Sequence, residues 1–290
     1  MGATADMTRR FGLAAIGASL TAACSPLTLF ANLSPKDAAL TSARDVAFGP
    51  DPRQRLDVYA PKRSAAPAPV AVFFYGGSWD SGRRQDYNWV GRALAAKGFV
   101  TVIADYRLYP AVRFPVFLED GALAVRWAAD HAATFGGDPG RIVLVGHSAG
   151  AYNAAMLALD SRYLMAAGVD PRRIKAFAGL SGPYDFLPLT DPIAVRTFGE
   201  ASDLPATQPT HFARSDAPPA FLATGEKDTY VFPRNTVALA KALRVVGAPV
   251  EERHYAELNH ISMVLSLSRP LRGRATVFDE MVAFLRARAG

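Results

Sequence analysis

The stretch RIVLVGHSAGAYNAAMLAL, Arg141 to Leu159, decides how this chain folds. Its first half is a run of aliphatic residues that stops at Gly146, and its second half is rich in alanine. A continuous apolar run suits a strand buried on both faces of a parallel sheet, and the alanine-rich half suits a helix. One hydroxyl, Ser148, stands at the seam with a glycine two places to either side. So tight a strand-to-helix turn forces strained backbone angles on the residue it carries, and neighbours two places away must lack a Cβ to avoid collision. The strain holds the serine Oγ clear of the sheet. The helix start offers unpaired N–H groups to any negative charge that develops beside it.

Working outward, similar apolar runs recur at 69–77, 99–106, 174–182 and 219–225, and 55–61 alternates like a half-exposed strand. Helical patterning fills about 87–97, 117–135, 149–159, 234–246 and 275–288. Strands and helices in alternation predict an α/β protein with an open, mostly parallel sheet flanked by helices on both faces. At 290 residues, half of them hydrophobic, the chain can bury a large core, and a single domain over 40–290 is expected. The proline-rich interval 183–219 between two strands is expected to be a small lid or binding loop.

The net charge of +6 is carried mostly by scattered arginines with no run longer than two, which argues a solvated surface and against a nucleic-acid partner. A single cysteine, Cys24, excludes an internal disulfide, and the five histidines show no zinc-ligand spacing. No metal or organic cofactor is expected. Residues 1–31 are predicted to be an export signal: Arg9 and Arg10 precede the uncharged FGLAAIGASLTAAC, about as long as a signal core and too short to span a bilayer. TRRFGL loosely resembles a twin-arginine signal, and LTAAC resembles a bacterial lipoprotein processing site at which Cys24 would carry a lipid anchor. The other reading is an ordinary signal cut near Ala23 or Ala31. The expected destination is the bacterial periplasm, free or membrane-anchored, with secretion open.

Ligands of open α/β sheets bind at the carboxyl ends of the strands, so the polar residues that end these runs become candidates together. Gly146–Gly150, GHSAG, matches G-x-S-x-G at the position that pattern requires. A serine nucleophile needs a base, and the base needs an orienting carboxylate. Asp228 lies three residues past a predicted strand, with Glu226 as a rival acid; His260 follows the last strand, with His254 inside it as the rival base. The order Ser148, Asp228, His260 is the one this fold uses. His147 and His131 read as structural, and His211, in the lid, reads as a surface residue or a substrate contact. A tetrahedral oxyanion needs donors: the Ala149 amide supplies one, and the glycine-containing loop FFYGGSW (73–79) is placed to supply another.

With these motifs together, the chain resembles the α/β-hydrolase superfamily, in the serine-esterase branch that includes hormone-sensitive-lipase-like carboxylesterases, isoprenylcysteine methylesterases and kynurenine formamidases. The resemblance runs from about Asp57 to the C-terminus on YGGSW, IADYRLYP, FPVFLEDGALAVRWAADHAATFGGDPGRI, GHSAG, LSGPYDF, GEKD and LNH. It implies Gly77 and Ser78 as oxyanion donors, with Gly76 allowing the turn, and Asp105 and Arg107 as structural tethers. Where the branch usually has a histidine before these glycines, this chain has Tyr75, whose phenol is expected either to bond the loop or to line the acyl pocket. Trp79 is expected in the core or on the pocket floor. The implied activity is hydrolysis of small to medium acyl or aromatic esters through an acyl-enzyme on Ser148, with a small-molecule ester as partner and the oligomeric state open. The alternatives are an arylformamidase-like amide hydrolase and, in another class, a non-catalytic binding protein of the same fold.

Overall fold

The computed structural model describes residues 26–62 and 66–290. Within them eight strands form one sheet: β1 (Leu40–Ala47), β2 (Arg55–Ala60), β3 (Ala68–Phe74), β4 (Val100–Ala104), β5 (Gly137–His147), β6 (Ile174–Leu180), β7 (Ala220–Gly225) and β8 (Val250–Tyr255). Their spatial order is β1-β2-β4-β3-β5-β6-β7-β8. β2 is antiparallel to both β1 and β4, and every pairing from β4 to β8 is parallel. The sheet is therefore mostly parallel and is the α/β-hydrolase fold that the sequence predicts. β1, absent from the sequence expectation, is an edge strand with only partial burial, so it lacks the apolar run that marks the others.

The helices are α1 (Pro26–Leu33), α2 (Asn88–Ala96), α3 (Val116–His131), α4 (Ala149–Leu159), α5 (Ser161–Ala166), α6 (Pro192–Phe198), α7 (Arg234–Val245), α8 (His260–Leu265) and α9 (Val277–Ala289). Strand side chains alternate between two apolar layers: Val143 and Val145 pack toward α1, α2 and α9, while Ile142 and Leu144 pack toward α3, α5 and α7. All of α4 is buried. Its small side chains allow that close approach to the sheet, and they are why its sequence shows no polar face.

Two segments differ from their sequence expectation. Of the predicted leader, residues 1–25 lie outside the described residues, and 26–31 fall in α1. That helix packs on the body: Ala31 is buried, Phe30 meets Trp89 edge-on at 5.5 Å, and the Thr28 hydroxyl donates to Asp86 at 2.8 Å. The 183–219 interval is more ordered than its prolines suggest. Asp191 accepts from the amides of Ile193 and Ala194 at 2.9 and 3.1 Å, and Pro192 occupies the first turn of α6. Proline is well tolerated there because an N–H at that position would find no intrahelical acceptor, so its absence costs no helix bond. Phe198 at the other end of α6 is fully buried, edge-on to Trp79 at 4.8 Å.

An ionic cluster centred on buried Arg84 ties the sheet's antiparallel edge to the loop after β3. Arg84 bonds Asp57 of β2 at 2.9 Å, Asp45 of β1 at 2.6 Å, and Asp105 just past β4. Arg107 donates several hydrogen bonds to fully buried Asp120, the shortest 2.7 Å, and Gln54 donates to the same carboxylate at 2.7 Å.

Candidate active site

Ser148 sits between β5 and α4 with φ 56° and ψ −126°, a left-handed conformation unusual for a residue with a side chain. Its own amide donates to Leu180 of the neighbouring β6 at 2.9 Å, which fixes the turn against the sheet. The flanking glycines are required by contact. A Cβ on Gly146 would lie 2.1 Å from the Gly150 carbonyl oxygen, and one on Gly150 would lie 2.0 Å from that of Phe74. The hydroxyl is thereby presented at the carboxyl end of the central strands.

The fold brings Asp228 and His260 to that hydroxyl. His260 Nε2 lies 2.8 Å from Ser148 Oγ, and its Nδ1 lies 2.8 Å from Asp228 Oδ2. The other oxygen of Asp228 accepts from the amides of Tyr230 and Val231 at 3.0 and 2.9 Å. Burial works against the charge on Asp228, but the hydrogen bond and charge of His260 and the Val231 amide outweigh it, so the carboxyl titrates below its ordinary range. His260 begins α8 rather than lying in open loop. Asn259 caps that helix in a reciprocal pair with Ser262, at 2.9 and 2.7 Å, which fixes the angle at which His260 leaves the chain.

The rivals pair with each other elsewhere. His254 Nδ1 meets Glu226 at 2.5 Å and its Nε2 meets Glu252 at 2.8 Å, on the β8 side of the sheet. His131 bonds the Trp127 carbonyl at 2.9 Å, and exposed His211 borders neither cavity at the serine. His147 is closer to the chemistry than its variable position in the motif suggests. Its ring is buried 4.8 Å from that of His260, with Nε2 3.0 Å from the His260 carbonyl oxygen. A carbonyl only accepts, so Nε2 carries the proton.

The loop after β3 holds three successive positive φ values, 130° at Gly77, 50° at Ser78 and 59° at Trp79. Its turn is closed by the amides of Asp80 and Ser81 donating to the Gly77 carbonyl. The amides of Gly77, Ser78 and Ala149 donate to no acceptor among the described residues. They remain available to a ligand. Gly76, Gly77 and Ser78 border the cavity at Ser148.

Tyr75 is a correction. Of the two places expected for it, loop or acyl pocket, it takes the loop: it is fully buried and borders neither cavity. Its ring is stacked between Tyr106 at 4.9 Å and Tyr87 at 5.6 Å. Its hydroxyl donates to Asp105 at 2.8 Å and accepts from Arg53 at 3.1 Å, while Arg53 also donates to the Gly82 carbonyl at 2.5 Å. The phenol thus braces the loop from beneath. Trp79 combines the two places expected for it: buried against Phe198 and Tyr152, it also borders a cavity, with its Nε1 donating to Asn153 at 3.1 Å.

Two cavities meet at Ser148 and His260. One, of about 600 Å³, is bordered by Leu27 and Thr28 of α1, Gly76–Ser78, Ser81, Arg83, Asp86, Tyr230 and Ile261. The other, of about 530 Å³, is bordered by Trp79, Phe186, Ile193, Tyr230, Phe232 and Asn235 among others. Sequence reasoning missed the wall formed by α1, because 26–31 read as leader. It also missed Tyr230, whose ring lies 5.6 Å from that of His260; its place two residues after Asp228 was the available signal.

A family model described as BD-FAE matches residues 56–243. The chain is 31% identical over 241 residues to the carboxylesterase NlhH of Mycobacterium tuberculosis, covering 76% of this chain and 74% of that protein. It is 30% identical over 266 residues to an isoprenylcysteine alpha-carbonyl methylesterase of Arabidopsis thaliana, covering 84% of this chain and 62% of the plant protein. Across five such plant relatives it spans between 54% and 64% of their length. Among solved structures, an esterase of Pyrobaculum calidifontis superposes with a TM-score of 0.72 at 25% identity, covering 90% of this chain and 88% of that one.

Proposed function

The chain belongs to the BD-FAE family, and on that premise we propose that it is a serine carboxylesterase whose nucleophile is Ser148. The observation that carries this reading is the continuous relay from Asp228 through His260 to Ser148, with 2.8 Å at both junctions. In it Ser148 Oγ attacks the ester carbonyl while His260 Nε2 takes its proton. Asp228, held ionised, keeps the Nδ1 proton in place and stabilises the imidazolium that forms. The amide of Ala149 and those of Gly77 and Ser78 receive the oxyanion, each such donor being worth about 3 kcal/mol in the transition state. His260 then protonates the departing alcohol, and water, activated by the same imidazole, releases the acid from the acyl-enzyme.

Cavities of this size on either side of the serine support small to medium substrates. The rings of Trp79, Phe186, Tyr230 and Phe232 along one of them support an aromatic group there. Turnover of a chromogenic short-chain ester by the wild type and by Ser148→Ala tests the reading: the variant is expected to lose at least about ten-thousandfold in kcat. Equal rates would end it. Formyl-aryl-amide turnover exceeding ester turnover would replace it with amide hydrolysis.

Export with processing before Cys24 fits the position of α1. A cut there keeps that helix whole, whereas a cut at Ala31 would remove Phe30 and leave Trp89 without its edge-on partner. Radiolabelled fatty acid incorporated by the wild type but not by Cys24→Ser would support the anchor.

A further inference from the structure

We propose that Arg53, in the turn between β1 and β2, is a positioning residue that holds the oxyanion amides of Gly77 and Ser78 in place from outside the substrate cavities. The proposal rests on the reading of Ser148 as nucleophile and adds the group that keeps its oxyanion site in shape. Arg53 borders neither cavity at Ser148 and forms no ion pair among the described residues. Its guanidinium meets three neutral oxygens instead. Nε donates to the Tyr106 carbonyl at 2.7 Å, while Nη2 donates both to the Tyr75 phenol at 3.1 Å and to the Gly82 carbonyl at 2.5 Å.

The two acceptors of Nη2 flank the loop that carries the amides. Tyr75 enters that loop from β3 and Gly82, with φ 98°, leaves it. The two ends touch: a Cβ on Gly82 would lie 2.8 Å from the Gly76 carbonyl oxygen and 2.9 Å from the Tyr75 ring. One guanidinium nitrogen therefore joins both sides of the loop's neck. Nε ties the neck to the segment after β4, where the circuit closes, since the Tyr106 hydroxyl donates to the Tyr75 carbonyl at 2.8 Å. The turn presenting Arg53 is itself fixed, with the Arg53 amide donating to the Asp51 carboxylate at 2.8 Å and the Gln54 amide to the Asp51 carbonyl at 2.9 Å.

What lies inside the neck explains the need for a clamp. Gly77, Ser78 and Trp79 hold positive φ in succession, which is costly for the two that carry side chains and persists only where the surroundings hold it. The bonds from the Asp80 and Ser81 amides to the Gly77 carbonyl close the turn but do not set its distance from Ser148. The Tyr109 amide holds the middle of the loop at the Trp79 carbonyl, and Arg53 holds the neck. Oxyanion donors act only at hydrogen-bond distance from the developing charge, so a relaxed neck weakens the transition state more than the bound ester. A rigid guanidinium fork spans the three oxygens; the ammonium of a lysine, a compact donor on a flexible stem, does not.

The test compares Arg53→Ala and Arg53→Lys with the wild type in kcat and KM for a neutral short-chain ester, and in affinity for an aryl trifluoromethyl ketone. Ser148 Oγ adds to the carbonyl carbon of that ketone, and the resulting oxyanion sits at the loop amides. Active sites are counted by fluorophosphonate labelling run to completion. Per active site, kcat is expected to fall at least about tenfold in Arg53→Ala and at least about threefold in Arg53→Lys, with KM held within about twofold and ketone affinity falling in parallel with kcat. A merely structural role would reduce the number of active sites while leaving kcat per site and ketone affinity unchanged, and that result would overturn the proposal. So would a loss of kcat without loss of ketone affinity, or full activity in Arg53→Lys, which would make charge rather than span the cause. Should Arg53→Ala fail to fold, Arg53→Lys carries the same readouts. Activity retained by Ser148→Ala would sink the Ser148 reading itself, so the two failures are told apart.

Discussion

His147 shows how a single residue next to the nucleophile links stability to pH. Burial pushes its pKa down to about 3, the nearby His260 ring adds to that, and the His260 carbonyl and Asp228 oppose it. An unfolded histidine titrates near ~6.5. Between these values the unfolded chain binds one proton more than the folded one, so stability falls as pH falls and is fully present above about 6.5. The expected slope from this residue is about 1.4 kcal/mol per pH unit. His147→Gln keeps an N–H for the His260 carbonyl but cannot titrate. Urea unfolding between weakly acidic and more acidic pH should show a shallower decline for the variant, and parallel declines would refute the assignment. Tyr75 makes a second case. Removing its hydroxyl in Tyr75→Phe leaves buried Asp105 and Arg53 each short of one bond, at a cost of about 1–3 kcal/mol. Because the ring reaches neither cavity, KM for an ester should not move; a raised KM with unchanged melting temperature would place Tyr75 at the substrate after all.

At the scale of elements, the site depends on how closely α4 approaches the end of β3. Gly150→Ala would drive a Cβ onto the Phe74 carbonyl, and β3 leads directly into the loop that carries the Gly77 and Ser78 amides. Overpacking of this kind costs about 1–3 kcal/mol or more. Displacement of the loop should lower kcat further than the loss of folded protein explains, as active-site titration with a fluorophosphonate would reveal. The segment from Thr190 to Ala194 walls the aromatic cavity, and its conformation rests on the Asp191 cap. Asp191→Ala should cost about 1 kcal/mol locally. We expect KM for an aromatic ester to rise while kcat for an acetyl ester holds. An unchanged KM ratio between the two substrates would mean that the cavity wall does not depend on the cap.

For the whole molecule, Arg84 joins β1, β2 and the end of β4 beneath the loop after β3, with its side chain almost fully buried. Arg84→Ala leaves the buried carboxylates of Asp57 and Asp105 without their cation and should destabilise by about 3–5 kcal/mol, read from chemical denaturation. A cost within experimental error would mean that the cluster is not what holds this edge together. Much of this molecule was legible in advance. The parallel sheet shows in apolar runs at 69–77 and 141–147, because strands buried on both faces leave no polar alternation. The elbow shows in GHSAG, because only glycines fit where Gly146 and Gly150 approach backbone. The order Ser148, Asp228, His260 follows from strand ends along the chain. Other features depended on contacts between distant segments. α1 reads as leader until Phe30 meets Trp89, and α6 reads as loop until Asp191 caps it and Phe198 enters the aromatic cluster. Tyr75 reads equally as a loop brace or a pocket residue until Arg53 and Asp105, far apart in sequence, claim its hydroxyl. Local periodicity and sterics are written in neighbouring residues, so the sequence by itself determined the strands, the elbow and which side chains were candidates. Which candidates touch, and which ring faces the substrate rather than the core, is set by packing between segments dozens of residues apart, and only the tertiary structure decided it.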